Sequence, residues 1–209
     1  QGKLTDEIMQ SIAVAKTLAE VEDIYRPYKQ KKKTRATVAK AKGLEPLAEI
    51  ILRQEEQEDI KEIAKEYITK NVEEVEKDKI VETVEDAIQG ALDIIAEMIS
   101  DEPKYRKEIK RQCYREATIN TKAIDKEQKS SYEMYYEFSE TIRTIPSHRI
   151  LAINRGEKEK FIKVSIEKPE EKILNYIQKY VIKGDTQFTQ MLIDTIVDSY
   201  KRLIEPSID

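Results

Sequence analysis

Apolar positions recur at three- and four-residue intervals over most of this chain, and those intervals predict one helix after another. Thr17 and Glu20 have the spacing of a capping box ahead of a helix over 18–25, and Pro27, which lacks an N–H and restricts Arg26, ends it. A short helix follows over 35–42. Gly43 fits the left-handed position past its end, and Pro46 suits the first turn of the next helix, which runs to Gln54. Ile60, Ile63, Ala64, Tyr67 and Ile68 keep to one face with lysine and glutamate elsewhere, the pattern of an amphipathic surface helix. Over 84–100 the pattern changes: Ala87, Ile88, Ala91, Leu92, Ile94, Ile95, Met98 and Ile99 cover more than half the circumference, so this helix must be buried on several sides.

The last helix, over 186–204, has Leu192 and Ile196 on one side and Ile193, Val197, Tyr200 and Ile204 on another. It is expected to pack against parts of a longer protein and to leave apolar surface exposed here. Residues 161–166 alternate apolar and polar with β-branched side chains, which predicts one short strand, paired with 118–124. Pro169 starts a helix through Ile182, with Ile173, Leu174, Ile177 and Val181 inward. Tyr132, Tyr135, Tyr136 and Phe138 stand three and four residues apart, as the stripe of a buried helix does, and core packing is the simpler reading than an aromatic platform. The fold class is mainly α: a multi-helix domain with one short β pair.

No internal repeat and no Gly/Ser-rich linker divides the sequence. Residues 53–86 form an acidic stretch whose 72–79 part lacks periodicity and reads as a loop. Residues 1–209 read as one helical domain with a protruding, insertion-like middle, and a cut near Asp101 would give 1–100 and 101–209 as subdomains. Charged residues make up 37% and glycines number only 5, which favours long charged helices over tightly turned sheets. The single cysteine, Cys113, excludes an internal disulfide framework and fits a reducing, cytoplasmic setting. Neither a run long enough for a membrane span nor a basic-then-apolar leader is present in this sequence.

Charge is segregated. Eight Lys or Arg follow Asp23 through Lys42 without one acidic residue, in a chain of net charge −4. Basic residues dispersed among carboxylates would cancel beyond a Debye length of about 10 Å, so clustering of this kind suits an anion-facing surface. The candidate contacts are Arg26, Lys29, Lys31, Lys32, Lys33 and Arg35, with Tyr25 and Tyr28 beside them for stacking on bases. A second set lies on a helix over 102–117, where about 100° per residue brings Lys104, Lys107, Arg111 and Arg115 within about 80° of one another. Tyr105, Ile109 and Cys113 fall on the opposite, core side. The competing reading of both sets is a solvated, charge-rich surface.

The run Glu22, Asp23, Ile24, Tyr25, Arg26, Pro27, Tyr28, Lys29, then Lys31, Lys33, Thr34, Arg35, Ala36 and Thr37, closes with Gly43, Leu44, Glu45, Pro46, Leu47 and Ala48. It resembles the signature of the bacterial Tex family of transcription accessory proteins. Ile145, Pro146, Ser147, His148 and Arg149, followed by Asn154, Arg155, Gly156 and Glu157, are similar to that family's second motif. A third runs from Asp198, Ser199, Tyr200, Lys201, Arg202 and Leu203 through Ile204, Glu205, Pro206, Ser207 and Ile208. The resemblance implies a longer protein with an RNase H-like domain, helix-hairpin-helix elements and an OB-type RNA-binding domain, none of them in this stretch. Gln1, in place of Met, agrees with an N-terminal helical piece of such a protein.

Catalytic constellations are sparse. His148 is the only histidine, which rules out sites with two imidazoles, and Cys113 lies on an apolar helix face where a thiol ionises poorly. Ser147 and His148 after Pro146 read as a helix start, with Ser147 capping, and Asn154–Glu157 as a turn at a helix end. The 41 carboxylates form no metal-ligand spacing and no Gly-rich phosphate loop exists, so no cofactor, metal site or enzymatic activity is expected. The expectation is a nucleic-acid-associated accessory factor acting as a helical scaffold on RNA or DNA, alongside other domains of the longer protein and transcription machinery, with no membrane partner. The alternative is a protein-interaction scaffold.

Overall fold

The computed structural model describes residues 5–29, 33–70 and 76–208. Its described part is mainly α-helical with a small antiparallel sheet, and the chain divides into two units, residues 1–107 with 174–209, and residues 108–173. A single cut near Asp101 does not describe this division, because the chain leaves the first unit and later returns to it.

The first unit is built around one buried helix. α1 (Asp6–Val14) and α2 (Leu18–Tyr25) open the chain, each started by a threonine, Thr5 and Thr17, whose Oγ1 accepts the N–H three residues on. Glu20 reaches back one residue further than a capping box requires and accepts the N–H of Lys16 at 2.6 Å. Pro27 ends α2 by turning it into the 3₁₀ segment Arg26–Tyr28. α3 (Arg35–Ala41) starts on a reciprocal box between Thr34 and Thr37 and stops at Gly43, whose φ of 77° a side chain would oppose. α4 (Glu45–Arg53) has Pro46 in its first turn and ends on Gln54 in the left-handed region. α5 (Ile60–Lys65) is shorter than its apolar spacing suggests, since the chain turns at Glu66 and leaves Tyr67 and Ile68 outside the helix.

α6 (Val84–Asp101) buries Ala87, Ala91, Ile94, Ile95, Ala96 and Ile99, and α3, α4 and α5 pack on it together with α10 (Thr189–Asp198). Alanines on α6 let several helices approach, which is why the apolar pattern ran round the helix. The returning segment is fully committed to this core. Leu192, Ile196, Tyr200 and Ile204 are buried, the last two on a π-helical turn, Ser199–Ile204. The expectation of exposed apolar surface on the last helix is therefore corrected, since α6 supplies the surface thought to be missing. Polar side chains tie the return in place: Gln54 donates to Val181 O at 2.7 Å and accepts from Lys183 N at 3.0 Å, and Ser199 Oγ donates to Ala96 O at 2.6 Å.

The second unit takes up most of α7 (Pro103–Glu116), a sheet, α8 (Ser147–Lys158) and the start of α9 (Glu170–Val181). The sheet has three strands rather than a pair: β1 (Thr118–Ala123) lies between β2 (Glu137–Thr141) and β3 (Ile162–Glu167), antiparallel to both. The pairing of β1 with β3, Ala123 opposite Ile162, follows the sequence expectation. β2 does not. The aromatic stripe read as a helix is a 3₁₀ turn, Glu133–Tyr135, leading into a strand, because the other edge of β1 needs backbone partners. Tyr135 and Tyr132 are buried against Ile145, Ile153 and Ile162, so these tyrosines are core after all.

Residues 154–157 are likewise inside α8 rather than in a turn after it. Gly156 is there for space: a Cβ would stand 2.9 Å from the Tyr132 ring and 3.1 Å from Ile162 Cδ1. Gly156→Ala should lower stability by about 1–3 kcal/mol through this overpacking, despite the better helix propensity of alanine. Urea unfolding of the two proteins checks it, and equal or greater stability of the alanine form would mean that Tyr132 moves aside freely.

Candidate nucleic-acid interface

The basic segment of the first unit is divided by its partners. Arg26, on the 3₁₀ turn after α2, directs Nε to Asp101 Oδ1 at 3.3 Å. Lys29 lines a surface groove of about 390 Å³ with Pro27, Thr37 and Lys40, but also with Glu97, Asp101 and Glu102. Lys33, Arg35 and Lys42 line a second groove of about 400 Å³, shared with Asp86 and Asp93 of α6. Burial raises the Asp93 carboxyl above its ordinary pKa although the cations of Arg202 and Arg35 oppose this. The structure thus brings Lys33 and Arg35 together and sets Arg26 apart, while Lys31 and Lys32 lie outside the described residues. Tyr25 and Tyr28 are exposed, at 55% and 39%.

α7 has the division of faces that its spacing predicts. Lys104, Lys107, Arg111 and Arg115 are exposed, Ile109 is buried, and Tyr105 and Cys113 are half-buried. The Lys104 ammonium sits 3.7 Å from the centroid of the Tyr180 ring, which packs edge-on to Tyr176 at 5.1 Å. Lys107 lies 3.8 Å from Glu20 and keeps 77% of its side chain exposed. In the second unit, Arg111 holds Glu108 at 2.7 Å, and that contact lowers the Glu108 pKa. In both pairs the cation is the exposed partner and the carboxylate the more buried one, with 16% exposure for Glu108 and 34% for Glu20.

Arg106 is a buried cation that sequence reasoning passed over. Its side chain is 2% exposed, with Nε donating to Asp23 Oδ1 at 2.9 Å, Nη2 to Ser207 Oγ at 3.0 Å and Nη1 to Ser100 O at 3.4 Å. The signal was available, because Arg106 lies three residues before Ile109 and so on the core side of α7, where a guanidinium requires a carboxylate. Asp23 belongs to the first motif and Ser207 to the third, so one buried arginine joins the two motifs. Nearby, Arg202 of the third motif grips Asp198 at 2.6 Å and Asp93 at 3.4 Å.

The second motif lies in the second unit. Arg149 of α8 reaches Glu140 of β2 at 2.5 Å, and Glu157 Oε1 accepts the N–H of Val164 on the outer edge of β3 at 3.2 Å. His148 is exposed in the first turn of α8. Ser147 does not cap that helix; Pro146 occupies the capping position and no side chain closes it. Among the described residues no cluster of His, Cys, Asp or Glu could hold a metal ion, and no helix is long and apolar enough to cross a membrane.

Residues 55–198 match the family model described as Tex central region-like. Over its whole length the chain is 48% identical to the uncharacterized protein YdcI of Bacillus subtilis, and it spans 29% of that protein. It is 33% identical to Protein tex of Bordetella pertussis over 79% of this chain and 20% of that protein. A third relative, S1 RNA-binding domain-containing protein 1 of Homo sapiens, is 27% identical over 99% of this chain and 21% of its own length. The chain therefore corresponds to less than a third of each of these proteins.

Arg106 and Arg26 should differ sharply in their effect on stability. Arg106→Gln removes the guanidinium from a largely buried pair with Asp23 and is expected to cost about 3–5 kcal/mol, whereas Arg26→Gln, at a half-exposed pair, should cost about 1 kcal/mol or less. Chemical denaturation of both variants measures the difference, and equal costs would remove the distinction between a buried tie and a surface one.

Proposed function

The chain belongs to the Tex family, and from that premise we propose that it is a helical scaffold segment of a nucleic-acid-associated transcription accessory protein. It binds phosphate backbone, RNA or DNA, without sequence specificity and carries out no chemistry of its own. The observation that carries this reading is the exposure of Lys104, Lys107, Arg111 and Arg115 along α7, with Lys33 and Arg35 at the start of α3, in a chain that is net −4. Cations gathered on chosen surfaces of an acidic protein favour a polyanion over non-specific adhesion. The printed names of relatives agree: one is a transcriptional accessory protein, from Neisseria gonorrhoeae, and another an S1 RNA-binding domain-containing protein. A cytoplasmic setting, with transcription machinery and the remaining domains of the longer protein as further partners, goes with this reading.

One observation favours a second reading, a protein-docking scaffold. The two grooves that hold Lys29 and the Lys33–Arg35 pair also carry Glu97, Asp101, Glu102, Asp86 and Asp93. Mixed charge of this kind suits a protein surface better than a phosphate backbone.

Salt dependence separates the readings. If about five phosphates are neutralised, affinity for duplex DNA should fall by roughly two to three decades between about 50 and 200 mM salt. Changing Lys31, Lys32, Lys33 and Arg35 together to Gln should weaken binding to every sequence alike and flatten the salt slope, as read by fluorescence anisotropy. Equal affinity of the quadruple variant and the parent would reject this segment as the contact, and no binding by the parent at low salt would favour the docking scaffold.

A further inference from the structure

Residues 5–29 are the loosely packed start of the first unit: no apolar residue of α1, α2 or the 3₁₀ turn after them is fully buried, and Met9, Val14 and Leu18 are exposed. A cleft of about 230 Å³, lined by Val14, Ala15, Ile24, Pro103, Lys104 and Lys107, remains open beside them. What holds the segment is charge. Asp23 meets Arg106 at 2.9 Å, Glu20 meets Lys107 at 3.8 Å, and Arg26 meets Asp101 at 3.3 Å. The first two place acidic side chains of α2 on a buried cation of α7, Arg106, and on an exposed one, Lys107, so only the core-side guanidinium is covered.

We infer that α1 and α2 form a releasable acidic cover over Arg106, beside the exposed Lys104 and Lys107, and that a nucleic-acid backbone opens this phosphate-binding surface by replacing Glu20 and Asp23. This rests on the nucleic-acid reading above and adds its regulation. A phosphate presents the same pair of acceptor oxygens to a guanidinium as a carboxylate does, so Arg106 exchanges one anion for another with little loss. Ser207 Oγ and Ser100 O stay on the guanidinium through the exchange and keep it aimed. Little apolar burial opposes release, since Ile8, Val21 and Ile24 are only half-buried, and the freed segment regains conformational entropy. A cover held in this way is the low-stability part of its unit, which is where moving elements are found.

Hydrogen exchange of the full chain with and without polyuridine at low salt tests the proposal. Bound RNA should speed exchange at the amides of α1 and α2 by about tenfold and slow it in the first turns of α7, while α6 is unchanged. Slower or unaltered exchange in α1 and α2 with RNA bound would overturn it. Glu20→Gln combined with Asp23→Asn should bind polyuridine about tenfold more tightly than a control, Glu7→Gln with Glu22→Gln, that removes two charges from exposed positions of the same helices. Equal affinity of variant and control would also overturn the cover. If the parent fails to bind but the uncovered variant binds, the cover is upheld in a stricter form. If neither binds while exchange shows α2 released, the nucleic-acid reading itself fails and the cover over a phosphate site falls with it. Should the variant lose α6 protection, salt replaces it: in the parent, raising ionic strength should speed exchange in α1 and α2 alone, and uniform protection at all salt levels would count against the cover.

Discussion

A guanidinium taken out of water costs several kcal/mol unless its donors are met by a carboxylate and further acceptors, and Arg106 imposes that requirement on the first unit. Among the described residues Asp23, Ser100 and Ser207 meet it, of which Asp23 lies 83 residues away in the chain and Ser207 lies 101 away. Satisfying one side chain therefore fixes where α2 lies and where the chain ends up after α10. Arg202 with Asp93, and Gln54 with Val181 and Lys183, repeat the arrangement further along the same return. Polar ties of this kind add little net stability, but each is met by one register only, which is how they specify where loosely apolar helices sit.

This gives the three family motifs a structural meaning. Asp23, Arg26, Arg202 and Ser207 act as ties within the first unit, and Arg149, Gly156 and Glu157 close the sheet and its core within the second. Motif residues that face water include the cations Lys29, Lys33, Arg35, Arg155 and Lys201, together with Tyr25, Tyr28 and His148.

Much of the helical part was legible because its signals are local. Thr17, Thr34, Gly43 and Pro46 each satisfy or end the backbone next to them, and the spread of apolar positions in α6 directly reflects neighbours on several sides. What was not legible depended on distant chain. The Tyr132 to Phe138 spacing fits a helix and also a 3₁₀ turn entering a strand, and the open edge of β1 decides between them. The apolar sides of α10 looked surplus until α6 was placed beside them. The candidate cations were found as types and positions, and on α7 their exposure follows from spacing alone. Which of them are already paired, as Arg26 is to Asp101, is a tertiary fact that no local pattern encodes.

Asp23 and Arg106, paired at 2.9 Å, are expected to act as one unit in holding the fold. A double-mutant cycle with Asp23→Ala and Arg106→Met, followed by urea denaturation, measures their coupling directly. The expected coupling is about 2 kcal/mol or more, with the double variant far more stable than the sum of the single losses allows. A coupling within about 0.5 kcal/mol of zero would show that the two residues stabilise the fold independently, and would contradict it.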